Sequence, residues 1–318
     1  MKGLFLCIFS ALFAAALLLA GCLRQPVTPP ETTSATISTG STAAPTQTTA
    51  QPTTHSTAPT YTTQPTTVPT QPRIGWVEEN GKRYYYGDDG VMLTGWLDQE
   101  YDRYYLQSDG SMAIGKVEID GNTCYFGPDG VQILLVNPWN FLPEGYEAET
   151  VDINGWQYVD IRCYDALMQM LDDCRAAGLS PHVASAYRTH GDQIYLYNNK
   201  IQRLIDQGYS EEEAKVLAGT VVAVPGTSEH ELGLALDLVD NSYRNLDEAQ
   251  ENTAVQKWLM ENSWKYGFIL RYPSNKSEIT GIIYEPWHYR YVGVELAKEL
   301  VQLDMCMEEY MQWLTQGR

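Results

Sequence analysis

Apolar and polar positions divide the chain into four stretches of different rhythm. From Leu4 to Ala20 the residues are uncharged and apolar, behind one positive charge at Lys2. Residues 24–73 show no period. A period of 20 residues then begins: Gly75-Trp76, Gly95-Trp96 and Gly115-Lys116 open three units. Aromatic clusters follow at Tyr84-Tyr85-Tyr86, Tyr104-Tyr105 and Tyr125-Phe126, and Asp89-Gly90, Asp109-Gly110 and Asp129-Gly130 close the units. Short aromatic strands punctuated by Asp-Gly and by Asn80-Gly81 predict β-hairpins. A lone hairpin is marginal in water, so the units must stack into a small solenoid.

From about residue 137 the pattern changes to a mixture of periods. Leu167, Met170, Leu171 and Cys174 share one helical face, predicting a helix over 164–177 that ends at Gly178. Further helices are expected over 193–205, 211–218, 254–266 and 292–303, with another near the C-terminus. Short apolar runs at 183–186 and 234–239 predict buried strands. Helices interleaved with a few strands predict an α+β domain of ordinary size over 137–318. The acid run Glu211-Glu212-Glu213 fits a solvated first helical turn.

Composition sharpens the two N-terminal stretches. Residues 24–73 contain 18 Thr, 9 Pro and 4 Ser among 50. Such a segment buries too little apolar surface to offset chain entropy, so residues 23–73 are expected to form a disordered stalk. The apolar run before it reads as an export signal over 1–22. Leu19-Ala20-Gly21-Cys22 resembles the bacterial lipobox, which implies cleavage before Cys22 and lipidation of its sulfur. Two or more acyl chains suffice for stable membrane anchoring. Four cysteines follow, Cys124, Cys163, Cys174 and Cys306. Cys163 and Cys174 lie about 16 Å apart along one helix, too far for a disulfide, and read as buried free thiols.

Charge excludes one class of partner. The chain carries 21 Lys+Arg against 40 Asp+Glu, a net of −19. Such a surface repels phosphate backbones, so no nucleic-acid partner is expected.

The candidate chemistry lies in two segments. Ser228-Glu229-His230-Glu231-Leu232-Gly233-Leu234-Ala235-Leu236-Asp237 holds a histidine and an aspartate seven positions apart. On a straight strand they would stand about 23 Å apart on opposite faces. For both to reach one ion the chain must turn, and Gly233 permits a turn. Glu285-Pro286-Trp287-His288 supplies another histidine with a carboxylate three positions away. Two His, one Asp and an open position suit catalytic zinc, with a spare Glu to accept a proton from water. The same donor set suits non-haem iron, although the usual oxygenase spacing of its first His and acid is shorter. His182 and His190 have no evident role in the pattern.

Two resemblances extend this reading. The units ending in Gly90-Val91-Met92-Leu93-Thr94-Gly95-Trp96 resemble the choline-binding and glucan-binding cell-wall repeats. That resemblance implies that residues 74–136 attach to a wall glycan or teichoic-acid component through Trp76, Tyr85, Trp96 and Tyr105, in cages built on cation–π attraction or sugar stacking. Lys116 departs from the pattern by standing where a tryptophan is usual. Ser185-Ala186-Tyr187-Arg188…Gln193, Pro225-Gly226-Thr227-Ser228-Glu229-His230…Gly233…Asp237 and Glu285-Pro286-Trp287-His288 together resemble the VanY-type D-Ala-D-Ala carboxypeptidases of the LAS group of zinc metallopeptidases. This resemblance implies a small antiparallel sheet with helices. It implies His230, Asp237 and His288 as Zn2+ ligands, Glu285 as general base and Arg188 as the group that steadies the substrate carbonyl. Ser185, Gln193 and Ser228 fall at positions lining the substrate site, and Trp287 is a candidate pocket floor. Ala186 replaces the family's usual glycine without consequence for the chemistry.

The expectation is therefore a lipid-anchored enzyme on the outer face of the bacterial cytoplasmic membrane, reaching into the wall and acting on peptidoglycan stem peptides. Its rivals are an L,D-carboxypeptidase acting on tetrapeptide stems, an endopeptidase cutting cross-links, and a non-catalytic wall-binding lipoprotein.

Overall fold

The computed structural model describes residues 73–317. The export signal, Cys22 and the stalk lie outside the described residues. Among the described residues, no helix is long and apolar enough to cross a membrane.

The period of 20 is a run of hairpins. β1 (Gly75–Glu79) pairs with β2 (Lys82–Tyr86), β3 (Gly95–Gln99) with β4 (Asp102–Leu106), and β5 (Gly115–Ile119) with β6 (Asn122–Phe126), all antiparallel. Tight turns lie at Asn80, Glu100 and Asp120, each with positive φ. Asp89-Gly90 and Asp109-Gly110 lie between hairpins, and Asp129-Gly130 follows the third. There the Asp89, Asp109 and Asp129 side chains accept the backbone N–H two residues on. Neighbouring hairpins are stitched by Met112 N donating to Arg83 O and Gln132 N donating to Arg103 O. The third hairpin meets the following domain. Tyr125 and Ile133 join an apolar cluster with Leu296, Leu300, Met307, Tyr310, Met311 and Leu314. This unit is a structural junction, and Lys116 pairs with Glu118 at 3.1 Å on its exposed face.

The C-terminal region is α+β, as its mixed periods predict. A small ribbon, β7 (Thr150–Asp152) and β8 (Tyr158–Asp160), leads into α1 (Ile161–Ala176). Then come β9 (Pro181–Ser185), α2 (His190–Asp206), α3 (Glu211–Gly219), β10 (Ala235–Asp240), α4 (Ala254–Asn262) and β11 (Phe268–Leu270). The short α5 (Ser277–Thr280), β12 (His288–Tyr291), α6 (Val294–Leu303) and α7 (Met307–Gln316) complete it. The main sheet is antiparallel in the order β11-β12-β10-β9. Its core packs Leu167, Met170 and Leu171 of α1 and Val255 and Leu259 of α4 against Leu236, Leu238, Phe268 and Tyr289 of the sheet. Cys163 and Cys174 are buried free thiols on α1.

Three departures from the expected boundaries have local causes. α1 starts at Ile161 because the Asp160 side chain accepts the Arg162 N–H as its cap. α2 starts at His190 because Thr189 and Asp192 form a reciprocal capping box. The helix expected over 254–266 is α4 followed by a 3-10 turn, Ser263–Tyr266, closed by Gly267 at φ +82°.

Gly233 is the pivot of the fold's chemistry. A 3-10 turn over Glu229–Leu232 ends there at φ +75°, and β10 begins two residues later. A Cβ on Gly233 would stand 3.0 Å from the Asp160 backbone N and 3.1 Å from Asp160 Cβ. The left-handed conformation costs a β-carbon about 1–2 kcal/mol, before the crowding. We expect Gly233→Ala to destabilise the fold by roughly 2 kcal/mol, lowering the midpoint of thermal denaturation by about 4–8 °C. An unchanged midpoint would show that the turn has another way to form.

Candidate active site

The turn at Gly233 brings His230 back over the start of β10, and His230 Nε2 lies 3.4 Å from Asp237 Oδ1. Asp237 sits directly opposite His288 on β12 and opposite Ser185 on β9. Directly opposed residues share a sheet face, so cross-strand pairing alone presents Asp237 and His288 to the same side. A register shift between Asp237 and Leu238 bulges the pairing with β9 at this point. Bulges beside sites re-aim side chains. His288 Nδ1 reaches Asp237 Oδ1 at 3.2 Å. One donor atom from each of His230, Asp237 and His288 falls within 4.8 Å of the others, and all three residues are buried.

These residues fit a metal ion, and a buried atom supports the fit. Asp237 Oδ1 is buried with no hydrogen-bond partner, although two imidazole nitrogens flank it. An unpartnered buried carboxylate oxygen is costly unless a ligand satisfies it. His230 is held for the task. Its Nδ1–H donates to the Ala186 carbonyl at 2.8 Å, leaving the Nε2 lone pair toward Asp237. Ala186 makes this contact through its backbone oxygen, not its side chain.

Glu285 Oε2 stands 3.6 Å from His288 Nδ1, beside the donor triangle. Burial pushes the Glu285 carboxyl up to about 8; His288 opposes this, Asp237 adds to it, and Arg188 opposes it again. Burial and the Arg188 charge lower His230 to about 4. Burial also lowers His288, but the Asp237 and Glu229 carboxylates beside the ring outweigh it and carry the group up to about 9. Asp237 falls well below the usual carboxylate range, since His230, His288 and Arg188 overcome its burial.

Arg188 is fixed against Asp237. Its Nε donates to Ser185 Oγ at 3.1 Å, Nη1 to Gln193 Oε1 at 3.3 Å and Nη2 to Asp237 Oδ2 at 3.0 Å. Gln193, fully buried on α2, donates in turn to Ala223 O at 2.7 Å. A guanidinium has five N–H donors. These contacts use three of the five. Arg188, Ser228, His230, Asp237, Glu285, Trp287 and His288 line one cleft of about 260 Å³, whose apolar wall includes Leu196, Val222 and Ile282. Trp287 is 7% exposed and meets the cleft at its wall. His190 lies outside it, hydrogen-bonded through Nδ1 to Glu231 at 2.7 Å, and His182 lies on β9.

Sequence reasoning gave no role to Glu229, Arg271, Arg290 or Glu308. They form a buried charge cluster behind His288, in which Arg271 bridges Glu229 and Glu308.

In the repeats, Trp76 meets Tyr85 and Tyr104 edge-on at 5.2 and 5.0 Å, and Trp96 meets Tyr105 edge-on at 5.2 Å. Each tryptophan face already carries a cation of this chain. The Arg83 guanidinium lies 4.6 Å from the Trp76 centroid and the Arg103 guanidinium 4.4 Å from that of Trp96.

A small antiparallel sheet presenting an imidazole and a carboxylate, a second imidazole on the turn before it, and a buried glutamate and a fixed arginine beside them define a metallopeptidase site. Comparison with known proteins narrows that class. Residues 157–294 match the D-alanyl-D-alanine carboxypeptidase family (VanY), and residues 74–116 match the choline-binding repeat. A D-alanyl-D-alanine carboxypeptidase of Enterococcus faecalis is 43% identical over 179 residues, 56% of this chain and 65% of the relative, so just under two thirds of that relative is spanned. The solved structure of VanYB in complex with D-alanine-D-alanine is 42% identical with a TM-score of 0.52, covering 56% of this chain and 96% of that one. A mutant of the vancomycin-resistance D,D-pentapeptidase VanY in complex with Zn(II) is 43% identical with a TM-score of 0.52, covering 56% of this chain and 97% of that one. The chain belongs to the VanY family of D-alanyl-D-alanine carboxypeptidases, and it carries choline-binding-type repeats ahead of the family domain.

Proposed function

We propose that this protein is a zinc-dependent D,D-carboxypeptidase that removes the terminal D-alanine from peptidoglycan stem peptides. One observation carries the reading: three buried donor atoms of His230, Asp237 and His288 converge within 4.8 Å in a cleft that also holds Glu285 and Arg188. In this reading residues 137–318 are the catalytic domain and residues 74–136 hold it to the wall. Residues 23–73 are the linker, and the signal over 1–22 leaves Cys22 as the lipid anchor on the outer face of the membrane.

The roles follow from chemistry. His230 Nε2, Asp237 Oδ1 and His288 Nδ1 would hold the ion. Bound there, zinc would supply Lewis-acid polarisation of the scissile carbonyl and lower the pKa of the attacking water. Glu285 takes the proton from the attacking water and returns one to the leaving amine of D-alanine. Its burial suits both halves of that task, because a carboxylate held in a dry site is a stronger base than one in water. Arg188 directs its two remaining N–H groups at the oxygen where negative charge builds, and it keeps its charge at every working pH. Ser185 and Gln193 hold that guanidinium in place. Ser228 and Trp287 shape the small pocket for the terminal residue. Trp76, Tyr85, Trp96 and Tyr105 form the wall-binding face, where a quaternary ammonium would compete with Arg83 and Arg103 for the tryptophan rings.

The test uses purified zinc-loaded protein, incubated separately with stem pentapeptide ending in D-Ala-D-Ala, with stem tetrapeptide and with cross-linked stem dimer, and the products weighed by mass spectrometry. Loss of one alanine from the pentapeptide is expected. Loss from the tetrapeptide alone would reassign the enzyme as an L,D-carboxypeptidase, and cleavage of cross-linked dimers alone as an endopeptidase. No cleavage of any of them would leave only wall binding.

A further inference from the structure

We propose that Glu229 is the positioning residue for His288, holding that imidazole with its proton on Nε2 and its Nδ1 lone pair toward the metal. The inference rests on the reading of His230, Asp237 and His288 as a metal site.

Among the described residues, three buried side-chain polar atoms have no hydrogen-bond partner: Asp237 Oδ1, Glu229 Oε2 and His288 Nε2. The first faces the donor triangle. The other two face each other at 3.5 Å, just beyond hydrogen-bond contact. Both residues are almost wholly removed from solvent, with side-chain exposures of 4% for His288 and 0% for Glu229. Two such atoms in a dry interior are each other's complement, because leaving either unsatisfied is costly. The choice of tautomer follows. A proton on Nε2 creates a charge-assisted N–H···O contact with Glu229. A proton on Nδ1 would set two acceptors face to face and aim an N–H at Asp237 Oδ1, where the ion belongs.

The rest of Glu229 is committed elsewhere. Its Oε1 accepts Arg271 Nε at 2.8 Å and Arg290 Nη1 at 2.9 Å. Arg271 in turn grips Glu308 on α7 through Nη1 at 2.9 Å and Nη2 at 2.6 Å. Arg290 Nη2 donates to Leu134 O at 2.9 Å. The carboxylate is thus clamped by one oxygen while the other is left for His288. A buried cluster of this kind is often no more stabilising than apolar packing of the same volume. Its use here is placement. Histidine ligands are regularly oriented by a carboxylate or carbonyl on the far ring nitrogen. In this site Ala186 O serves His230 and Glu229 serves His288.

The decisive variant is Glu229→Gln in the full chain. The amide oxygen takes the place between the two arginines, so the NH2 group faces His288 Nε2 and drives the proton to Nδ1. Zinc affinity, measured by competition with a chromophoric chelator, is expected to fall about 10–100-fold. The visible spectrum of the cobalt(II)-substituted variant is expected to differ from that of the parent. A merely structural Glu229 would lower the melting temperature of the metal-free protein and leave affinity and spectrum unchanged; that result overturns the proposal. A second measurement needs no variant. In zinc-loaded wild-type protein, long-range 1H–15N correlations are expected to put the His288 proton on Nε2, and a proton on Nδ1 overturns the proposal. A parent protein that binds no zinc at all would instead defeat the metal reading beneath it.

Discussion

Glu285→Gln is expected to retain zinc and to lose turnover by about 10²–10⁴-fold. The substitution keeps the size and polarity of a side chain that is 7% exposed and lines the cleft. It removes only the ability to take a proton and give it back. Glu285 is not among the three donor residues that converge, so occupancy of the metal site should be preserved. Burial is the chief influence on this carboxyl and disfavours its charge. A neutral amide therefore adds no folding cost, and the metal-free variant should melt no lower than the parent. Such a residue lends reactivity at the expense of stability, a trade common at active sites. The checks are kcat for D-alanine release and zinc per chain after dialysis. Full turnover with zinc in place would remove Glu285 from the mechanism.

The sequence made the elements legible where side-chain period and turn chemistry agree. α1 was readable because Leu167, Met170, Leu171 and Cys174 recur on one face, and all four are buried. The hairpins were readable from aromatic alternation, although the Asp-Gly turns mark the passages between hairpins and the second hairpin turns at Glu100, with no glycine to announce it. Caps at Asp160 and Thr189 were available signals that periodicity alone overlooked. The donor residues were readable from type and spacing, and the need for a turn at Gly233 followed from strand geometry. Their support was not. Glu229, Arg271, Arg290 and Glu308 span some eighty positions, and a charged residue in sequence looks the same whether it meets water or another charge. Glu229 lies on the 3-10 turn before β10, Arg271 just after β11, Arg290 on β12 and Glu308 on α7, so only the folded chain brings these four together. The Ala186 carbonyl was equally hidden, because a backbone atom leaves no mark on residue type.

Asp237→Ala is expected to abolish zinc binding and, with it, both activity and the metal-linked part of the protein's stability. Asp237 joins three functions in one carboxylate. Oδ1 lies 3.4 Å from His230 Nε2 and 3.2 Å from His288 Nδ1, at the centre of the donor set. Oδ2 accepts Arg188 Nη2 at 3.0 Å and so fixes the guanidinium in the cleft lining. Removing it leaves two imidazoles without the negative charge that offsets a dication, and two ligands hold zinc far less well than three. It also leaves Arg188, whose side chain is 19% exposed, with its charge unpaired at the cleft wall. The loss can be read by calorimetry. A ligand present at 100 times its dissociation constant stabilises the folded state by about 2.7 kcal/mol. For a domain of this size that corresponds to an increase of roughly 5–10 °C in melting temperature. The parent should gain this on zinc addition and lose it to a chelator, whereas Asp237→Ala should melt at one temperature in either buffer. A variant that still gained stability from zinc would place the ion on other residues and dissolve the site as described. A parent indifferent to both zinc and chelator would do the same.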